Sequence, residues 1–154
     1  MHSSKPILLV EDDNIDAMTV QRAMKELNVA NKLVRTGNGE EALHYLRSSS
    51  KEKPCLVLLD LNMPKMNGLE LLKIVKADDD LAAIPVIVLT TSGEQCDIME
   101  SFKFSVAGYM IKSVDYAEFK ETMRVINEYW TLSEMPEKWG IESELDATIP
   151  SLTQ

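Results

Sequence analysis

Acidic, hydroxyl and cationic side chains stand directly after short apolar runs at widely separated points of the chain. They are Glu11, Asp12, Asp60, Thr90 and Lys112. Clustered carboxylates repel one another and raise each other's pKa, and a divalent cation removes that penalty. Oxygen ligands without histidine or thiolate favour Mg²⁺ or Mn²⁺. If folding brings these groups together, a metal ion and a lysine can neutralise a phosphoryl group while a carboxylate attacks it and forms an acyl phosphate.

The elements that must position these residues are strands and helices in alternation. Apolar runs at 7–10, 56–59 and 86–89 are typical of central strands in a parallel sheet covered by helices on both sides. Weaker strands are predicted at 32–36 and 108–111, and helices at 14–27, 39–47, 68–77, 96–104 and 116–130. This alternation predicts a doubly wound α/β fold, (βα)5, with a five-stranded parallel sheet. Right-handed crossovers place the carboxyl ends of all the strands, and so the polar residues, at one edge.

Apolar spacing within the predicted helices indicates which faces are buried. The first helix is expected to present one apolar stripe of Ile15, Met18, Ala23 and Leu27. The last helix carries apolar residues at spacings of four, three and four, namely Phe119, Met123, Ile126 and Trp130. That spacing indicates a core or dimer stripe rather than a cofactor site. Asp13 and Asp16 are expected to be helix-start charges.

Length and composition exclude several classes of protein. The chain has 154 residues, 45% of them hydrophobic, which suits one domain with a core and a short remainder. A formal net charge of −9 disfavours direct binding to nucleic acid or to an anionic membrane surface. Cys55 and Cys96 are expected to be buried or half-buried thiols in a reducing cytoplasm. Neither a signal peptide nor a bilayer-spanning apolar stretch is expected.

Five segments, taken together and in order, resemble the receiver domain of two-component response regulators. They are Val10–Asp12, Leu59–Pro64, Asn67–Gly68, Pro85–Thr90 and Gly108–Lys112. The resemblance covers about residues 5 to 130 and implies the flavodoxin-like receiver fold. It predicts a receiver domain at 5–130, followed at 131–154 by a C-terminal extension that forms no independent domain.

The resemblance implies a chemical role for each acidic residue and for the lysine. Asp60 would be the phosphoacceptor. Asp12 would bind Mg²⁺ (or Mn²⁺) directly, with Glu11 and Asp60 as partners, and Asn62 would add its backbone carbonyl. Lys112 would pair with the phosphoryl group.

Other matching positions imply a conformational switch and control of its lifetime. Thr90 would hydrogen-bond a phosphoryl oxygen, and Tyr109 would swing inward as Thr90 moves. Thr91 would direct its backbone amide at the same group. Asn62 and Ser92 occupy the positions that tune dephosphorylation in this family.

Ser113 departs from the family pattern, which usually has a proline joined to the lysine by a cis peptide. A non-proline residue strongly disfavours the cis form. The sequence therefore leaves two alternatives, a strained cis peptide or a trans peptide that places Lys112 differently.

Within this family, the sequence is especially similar to small single-domain regulators that partner phytochrome-type sensor kinases. The segments that carry this similarity are Leu89–Ser92, Asp97–Ile98, Val114–Asp115 and Tyr129–Trp130, together with Phe119. It implies a cytoplasmic phosphoprotein of phosphorelay signal transduction, phosphorylated by a sensor histidine kinase and switching a face that binds an unknown downstream protein. Such a protein catalyses only its own phosphoryl uptake and autodephosphorylation. A homodimer would use the face of the fourth helix, fifth strand and fifth helix, or the C-terminal extension.

Three other hypotheses compete with this one. An aspartate-based phosphatase would usually show D-x-D near the first strand, whereas Asp60-Leu61-Asn62 follows the third. A nucleotide-binding protein would show G-x-G-x-x-G or a P-loop lysine, and neither is present in the sequence. A phosphorylation-inactive receiver that serves as a binding scaffold is supported by Ser113 alone.

Overall fold

The computed structural model describes residues 4–134, and within this range five strands alternate strictly with five helices. The elements are β1 (Ile7–Val10), α1 (Asn14–Glu26), β2 (Leu33–Thr36), α2 (Gly39–Arg47), β3 (Leu56–Leu59), α3 (Gly68–Ala77), β4 (Val86–Thr90), α4 (Gln95–Lys103), β5 (Gly108–Ile111) and α5 (Tyr116–Leu132). All five predicted strands and all five predicted helices are confirmed. Most of the predicted extension at 131–154 lies outside the described residues.

The strands form one parallel sheet in the order β2-β1-β3-β4-β5. The central strands are in direct register, so that Leu9 pairs with Leu58 and Leu58 with Ile87. The strand order reverses between β1 and β3, where the chain leaves one half of the sheet for the other. In doubly wound sheets the functional site lies at the carboxyl ends of the strands beside this reversal. The predicted doubly wound α/β fold is therefore confirmed.

Helices cover both faces of the sheet, and this explains why the central strands are apolar at successive positions. Side chains alternate between the two faces of a strand. Leu8 and Val10 pack into a core shared with α2 and α3, whereas Ile7 and Leu9 pack into a core shared with α1 and α5. The central strands β1 and β3 therefore carry no polar residues, because neither of their faces meets water.

Most helices begin at a residue whose side chain caps them. Asp13 accepts a hydrogen bond from the Asp16 amide at the start of α1, at 2.9 Å. Asn67 and Glu70 form a reciprocal capping box at the start of α3, which satisfies backbone donors that a helix leaves open. α4 differs, because its N-cap residue Glu94 makes no side-chain hydrogen bond to the helix.

The expected stripe of α1 is partly wrong. Ile15 and Met18 are 74% and 65% exposed. The buried side chains instead form another stripe, with spacings of three or four residues: Ala17, Val20, Ala23 and Met24. A helix turns by about 100° per residue, so Ile15 and Met18 lie away from this stripe. In α5 the expected stripe is confirmed as core, because all four of its residues are buried: Phe119, Met123, Ile126 and Trp130.

The two cysteines differ in environment. Cys55 is buried as predicted, but Cys96 is exposed in the first turn of α4, where that part of the prediction is wrong. The reason is that α4 packs loosely and buries only Ser101. Within the described residues, no helix has the length and apolar character needed to cross a bilayer.

Candidate functional site

Three carboxylates converge where β1 and β3 end. Glu11, Asp12 and Asp60 each offer an oxygen, and these atoms lie within 4.8 Å of one another. Glu11 and Asp60 are buried, at 1% and 6% exposure, whereas Asp12 is exposed. The cluster therefore has two carboxylates at its base and one at its open side.

The backbone fixes the two buried carboxylates. The Glu11 amide donates to the Thr36 carbonyl at 3.0 Å, and the Asp60 amide donates to the Val10 carbonyl at 3.1 Å. These bonds continue the strand ladders one residue past the strand ends. Gly68, at the start of α3, approaches the same place so closely that a Cβ would lie 2.5 Å from the Asp60 carbonyl oxygen. The position of Asp60 is thus set by neighbours in sheet and helix alike.

Lys112 enters the cluster from the end of β5. Its ammonium forms an ion pair with Glu11, lies 3.0 Å from Asp16 Oδ2 and is 3.8 Å from Asp60 Oδ2. The side chain is only 8% exposed. Within the described residues there is no cis peptide, so the Lys112–Ser113 bond is trans. Of the two alternatives left by the sequence, the structure has the trans peptide, and Lys112 still reaches Asp60.

Burial and charge act together on the acid–base properties of this cluster. Burial raises the pKa of Glu11 to about 7, with the Asp60 charge adding to the rise and Lys112 opposing it. Burial lowers the pKa of Lys112, but its hydrogen bonds to Glu11 and Asp16 and the charge of Asp60 outweigh that effect, so the net pKa is raised. Lys112 is therefore charged, and Glu11 is a carboxylate that a cation would help to ionise.

The hydroxyl side of the site is built by β4 and the loop that follows it. Thr90 is fully buried, and the Ser92 amide lies 3.4 Å from its Oγ1. Tyr109, on β5, donates its hydroxyl to the Ser92 carbonyl at 2.7 Å, and burial raises the pKa of that phenol. The Ser92 hydroxyl donates to Asp97 on α4 at 2.6 Å. Ser92 thus links the end of β4 to both α4 and β5.

The remaining predicted site residues, Asn62 and Thr91, are exposed at the same edge. The Asn62 amide lies 3.4 Å from Asp60 Oδ1 in the turn after β3. The structure therefore brings Glu11, Asp12, Asp60 and Lys112 into one cluster. Thr90, Thr91, Ser92 and Tyr109 form its adjoining side.

Sequence reasoning missed two residues that shape the site. Asp16 was expected only to be a helix-start charge, but it contacts Lys112. Arg35, on β2, donates to the backbone carbonyls of Glu11 and Asp12 and to the Asn14 side chain, at 3.0, 3.1 and 2.8 Å. The sequence signal for the Arg35 contacts is weak, because it is only an arginine one residue before the end of the strand predicted at 32–36.

The donor set fits a hard divalent cation. The clustered ligands are carboxylate oxygens, without histidine or thiolate, and two of the three are buried. Mg²⁺ and Mn²⁺ bind oxygen ligands of this kind and complete their coordination with water or phosphate oxygens. A cation would also relieve the unfavourable burial of the Glu11 and Asp60 charges.

Comparison with known proteins gives a consistent result. Residues 7–124 match the family model described as "Response regulator receiver domain". The probable methanogenesis regulatory protein FilR2 of Methanothrix harundinacea is 40% identical over 127 residues, which cover 80% of this chain and 82% of FilR2.

Solved structures agree in fold over most of the chain. The phosphorylated cyanobacterial phytochrome response regulator RcpA is 36% identical with a TM-score of 0.82, covering 88% of this chain and 100% of that one. The Mn²⁺-bound form of response regulator Rcp1 is 34% identical with a TM-score of 0.80, covering 86% of this chain and 99% of that one. Rcp1 comes from Synechocystis sp..

The protein is therefore a doubly wound α/β domain. At the carboxyl edge of its sheet lie three carboxylates that could bind a metal ion, together with a buried lysine. The chain belongs to the response regulator receiver family, the signalling modules of two-component systems. Phosphorylation on an aspartate and binding of a divalent metal ion are general features of this family. The predicted family and the predicted flavodoxin-like receiver fold are both confirmed.

Proposed function

We propose that this chain is a single-domain response regulator whose Asp60 accepts a phosphoryl group from a sensor histidine kinase. The observation that carries the proposal is the placement of Lys112, whose ammonium lies 3.8 Å from Asp60 Oδ2 although the two residues come from different strand ends. A buried ammonium beside a buried carboxylate provides the charge that an incoming phosphoryl group requires.

The chemistry is an in-line displacement at phosphorus. A carboxylate oxygen of Asp60 attacks the phosphoryl group of a phosphohistidine, and an acyl phosphate bond forms while the P–N bond breaks. The imidazole leaves with the electron pair and takes up a proton. Lys112, the Thr90 hydroxyl and the Thr91 amide hold the phosphoryl oxygens. Glu11, Asp12, Asp60 and the Asn62 carbonyl would hold a Mg²⁺ ion. When bound, that ion would neutralise more of the negative charge on the phosphoryl group.

The switch follows from the contacts of Thr90 and Tyr109. Thr90 turns toward the new phosphoryl group, and Tyr109 moves inward into the space beside it. Tyr109 must first give up its hydrogen bond to the Ser92 carbonyl, which holds it at the loop in the present structure. Phosphorylation thereby shifts the population between two arrangements of the face formed by α4, β5 and α5.

The face of α4, β5 and α5 is suited to protein binding. It carries large apolar side chains that remain exposed: Met99, Phe102, Ile111, Val125 and Tyr129. We assign to it a downstream protein, or a second copy of the chain in a homodimer. We also propose the receiver domain at 5–130 and name the C-terminal extension at 131–154 as the other candidate for the homodimer contact.

The similarity to RcpA and to the bacteriophytochrome response regulator AtBRR supports a phytochrome-type kinase as the phosphodonor. Proposed roles for Asn62 and Ser92 in setting the rate of autodephosphorylation rest on their places beside Asp60 and Thr90. We further propose a cytoplasmic location and no turnover of external substrates. The inactive-scaffold alternative is weakened, because Lys112 reaches the cluster despite Ser113.

The test is intact-mass measurement after incubation with phosphoramidate and Mg²⁺. We expect one added phosphoryl group on the wild-type chain, and none on Asp60→Asn or without the metal. Asp79→Asn, an exposed aspartate in the turn after α3, is the matched control and should be labelled normally. If the wild-type chain gains no phosphoryl group and does not bind beryllofluoride, the proposal is wrong and the scaffold alternative holds.

A further inference from the structure

We propose that Asp16 is a positioning residue that holds the Lys112 ammonium at the mouth of the site, an inference that rests on the function proposed for Asp60. Lys112 Nζ donates to Asp16 Oδ2 at 3.0 Å. The two residues are 96 positions apart in the chain, so this is a tertiary contact between the end of β5 and the first turn of α1. Asp16 is 41% exposed, and the lysine is 8% exposed.

Asp16 differs from the other carboxylates around Lys112, because it is not one of the possible metal ligands. Within the described residues, Lys112 has three carboxylates within 4.0 Å, those of Glu11, Asp16 and Asp60. Glu11 and Asp60 are members of the group of possible metal ligands, whereas Asp16 is not. Ligation of a cation by Glu11 would compete with its ion pair to Lys112. Asp16 would then be the carboxylate that keeps the ammonium in place.

Both ends of this contact are held by the backbone. The Lys112 amide donates to the Thr90 carbonyl at 2.7 Å, which fixes the base of the lysine. A lysine side chain retains large rotational freedom beyond its Cα, and a partner at its tip removes much of that freedom. Asp16 can serve as such a partner, because its own amide is tied to the Asp13 cap at 2.9 Å.

A simpler account is that Asp16 only complements the partial positive charge at the start of α1. Asp13 meets the same need at the same helix end, and its carboxylate caps the helix. The structure records an ion pair to Lys112 from Asp16 and none from Asp13. Asp13→Asn therefore removes an equal charge from the same place and keeps the cap, since asparagine caps a helix as well as aspartate.

The first measurement is the second-order rate constant for labelling by phosphoramidate in the presence of Mg²⁺. We expect Asp16→Asn to lower it about fivefold, the upper range for a partly exposed ion pair. Asp16→Glu should restore most of the rate, and Asp13→Asn should leave it unchanged. If the wild-type chain is labelled and Asp16→Asn behaves as Asp13→Asn does, this inference alone is overturned. A wild-type chain that is never labelled overturns both proposals.

The second measurement asks whether Asp16 acts through Lys112. In a Lys112→Ala background, Asp16→Asn should change the residual labelling rate by less than about twofold, the limit for uncoupled sites. An equal loss in both backgrounds would mean that Asp16 serves only helix stability. Thermal unfolding of the metal-free variants gives a readout that needs no labelling. There, Asp16→Asn should lower the melting temperature only when Lys112 is present, and a loss in both backgrounds would contradict the contact.

Discussion

The centre of the sheet and its α4–β5 edge differ in how firmly they are packed. β1 and β3 are buried at every position, and α3 beside them begins with a reciprocal capping box. At the edge, three residues of β5 are half-buried and the fourth is exposed. α4 buries Ser101 alone and lacks a side-chain cap. Glu11 and Asp60 belong to the first region, whereas Ser92 and Tyr109 belong to the second.

This difference matches the two tasks that we propose for the site, phosphoryl transfer and a change of shape. Carboxylates that repel one another stay together only if the backbone that carries them resists displacement, and the buried centre provides that resistance. A face that must change shape has to break few contacts in doing so, because regions with little buried apolar surface rearrange at low free energy. The molecule therefore separates a firmly packed charge site from a loosely packed edge.

The largest expected effect concerns matched truncations in the two regions. Leu58→Ala in β3 removes a side chain that is 1% exposed and should lower the free energy of unfolding by about 2–5 kcal/mol. Met99→Ala in α4 removes one that is 62% exposed and should change it by less than about 0.5 kcal/mol. Denaturant titration measures both. Equal losses would mean that the edge is packed as firmly as the centre.

The next effect compares two glycines. A Cβ on Gly68 would lie 2.5 Å from the Asp60 carbonyl oxygen, so Gly68→Ala should cost about 1–3 kcal/mol of stability and slow phosphoryl uptake. A Cβ on Gly93, before α4, would meet only the tip of the Ile111 side chain, at 3.4 Å. Gly93→Ala should therefore be tolerated. Unfolding and labelling of the two variants, measured side by side, would contradict the comparison if Gly93→Ala were the more damaging.

A smaller effect comes from supplying the cap that α4 lacks. Glu94 has the extended backbone of an N-cap residue, and Glu94→Ser should stabilise the chain by about 0.5–1 kcal/mol. Hydrogen exchange of the α4 amides should slow, while exchange in α3 stays the same. An unchanged α4 exchange rate would mean that the missing cap does not limit the stability of this helix.

The smallest effect is a surface contact between α1 and α5. Glu26 accepts from the Tyr116 hydroxyl at 2.7 Å and from Arg22 at 3.1 Å, and these bonds lower the pKa of Glu26 from 4.5 to about 2. Folding therefore favours the ionised form of Glu26. The contact stabilises the folded chain fully above pH 4.5, and this stabilisation is lost as the pH falls toward 2.

The check on this contact is the melting temperature of wild type and Glu26→Gln across that acidic range. Wild type should be slightly more stable above pH 4.5, and the difference should vanish near pH 2. A difference that persists in acid would mean that charge does not drive the contact. The effect is small because the groups are exposed to solvent.

The central strands could be predicted from the sequence, because a strand covered on both faces is an uninterrupted apolar run that is easy to recognise. Ile7–Val10 and Leu56–Leu59 are of this kind, and both are confirmed as strands. The meeting of Asp60 with Lys112 was also predictable, since right-handed crossovers bring all strand ends to one edge. The chemical roles of all the predicted site residues stay predictions, although the structure shows where those residues lie.

The remaining features depend on side-chain direction, which spacing alone does not specify. Ile15 and Met18 are large and apolar, yet the buried stripe of α1 begins at the smaller Ala17. The contact of Asp16 with Lys112 depends on the reach of a long flexible chain, and nothing near either residue in the sequence indicates it.

The place of β5 in the sheet also matters while the chain is being made. Among the residues that the structure describes, β5 is both an edge strand and the last strand, and it pairs with β4 alone. A growing chain can thus assemble β1 to β4 first, and β5 joins by simple addition at the open side. Until Lys112 leaves the ribosome, Glu11 and Asp60 lack their ammonium partner. The acidic cluster therefore gains its lysine only after the other four strands have been made.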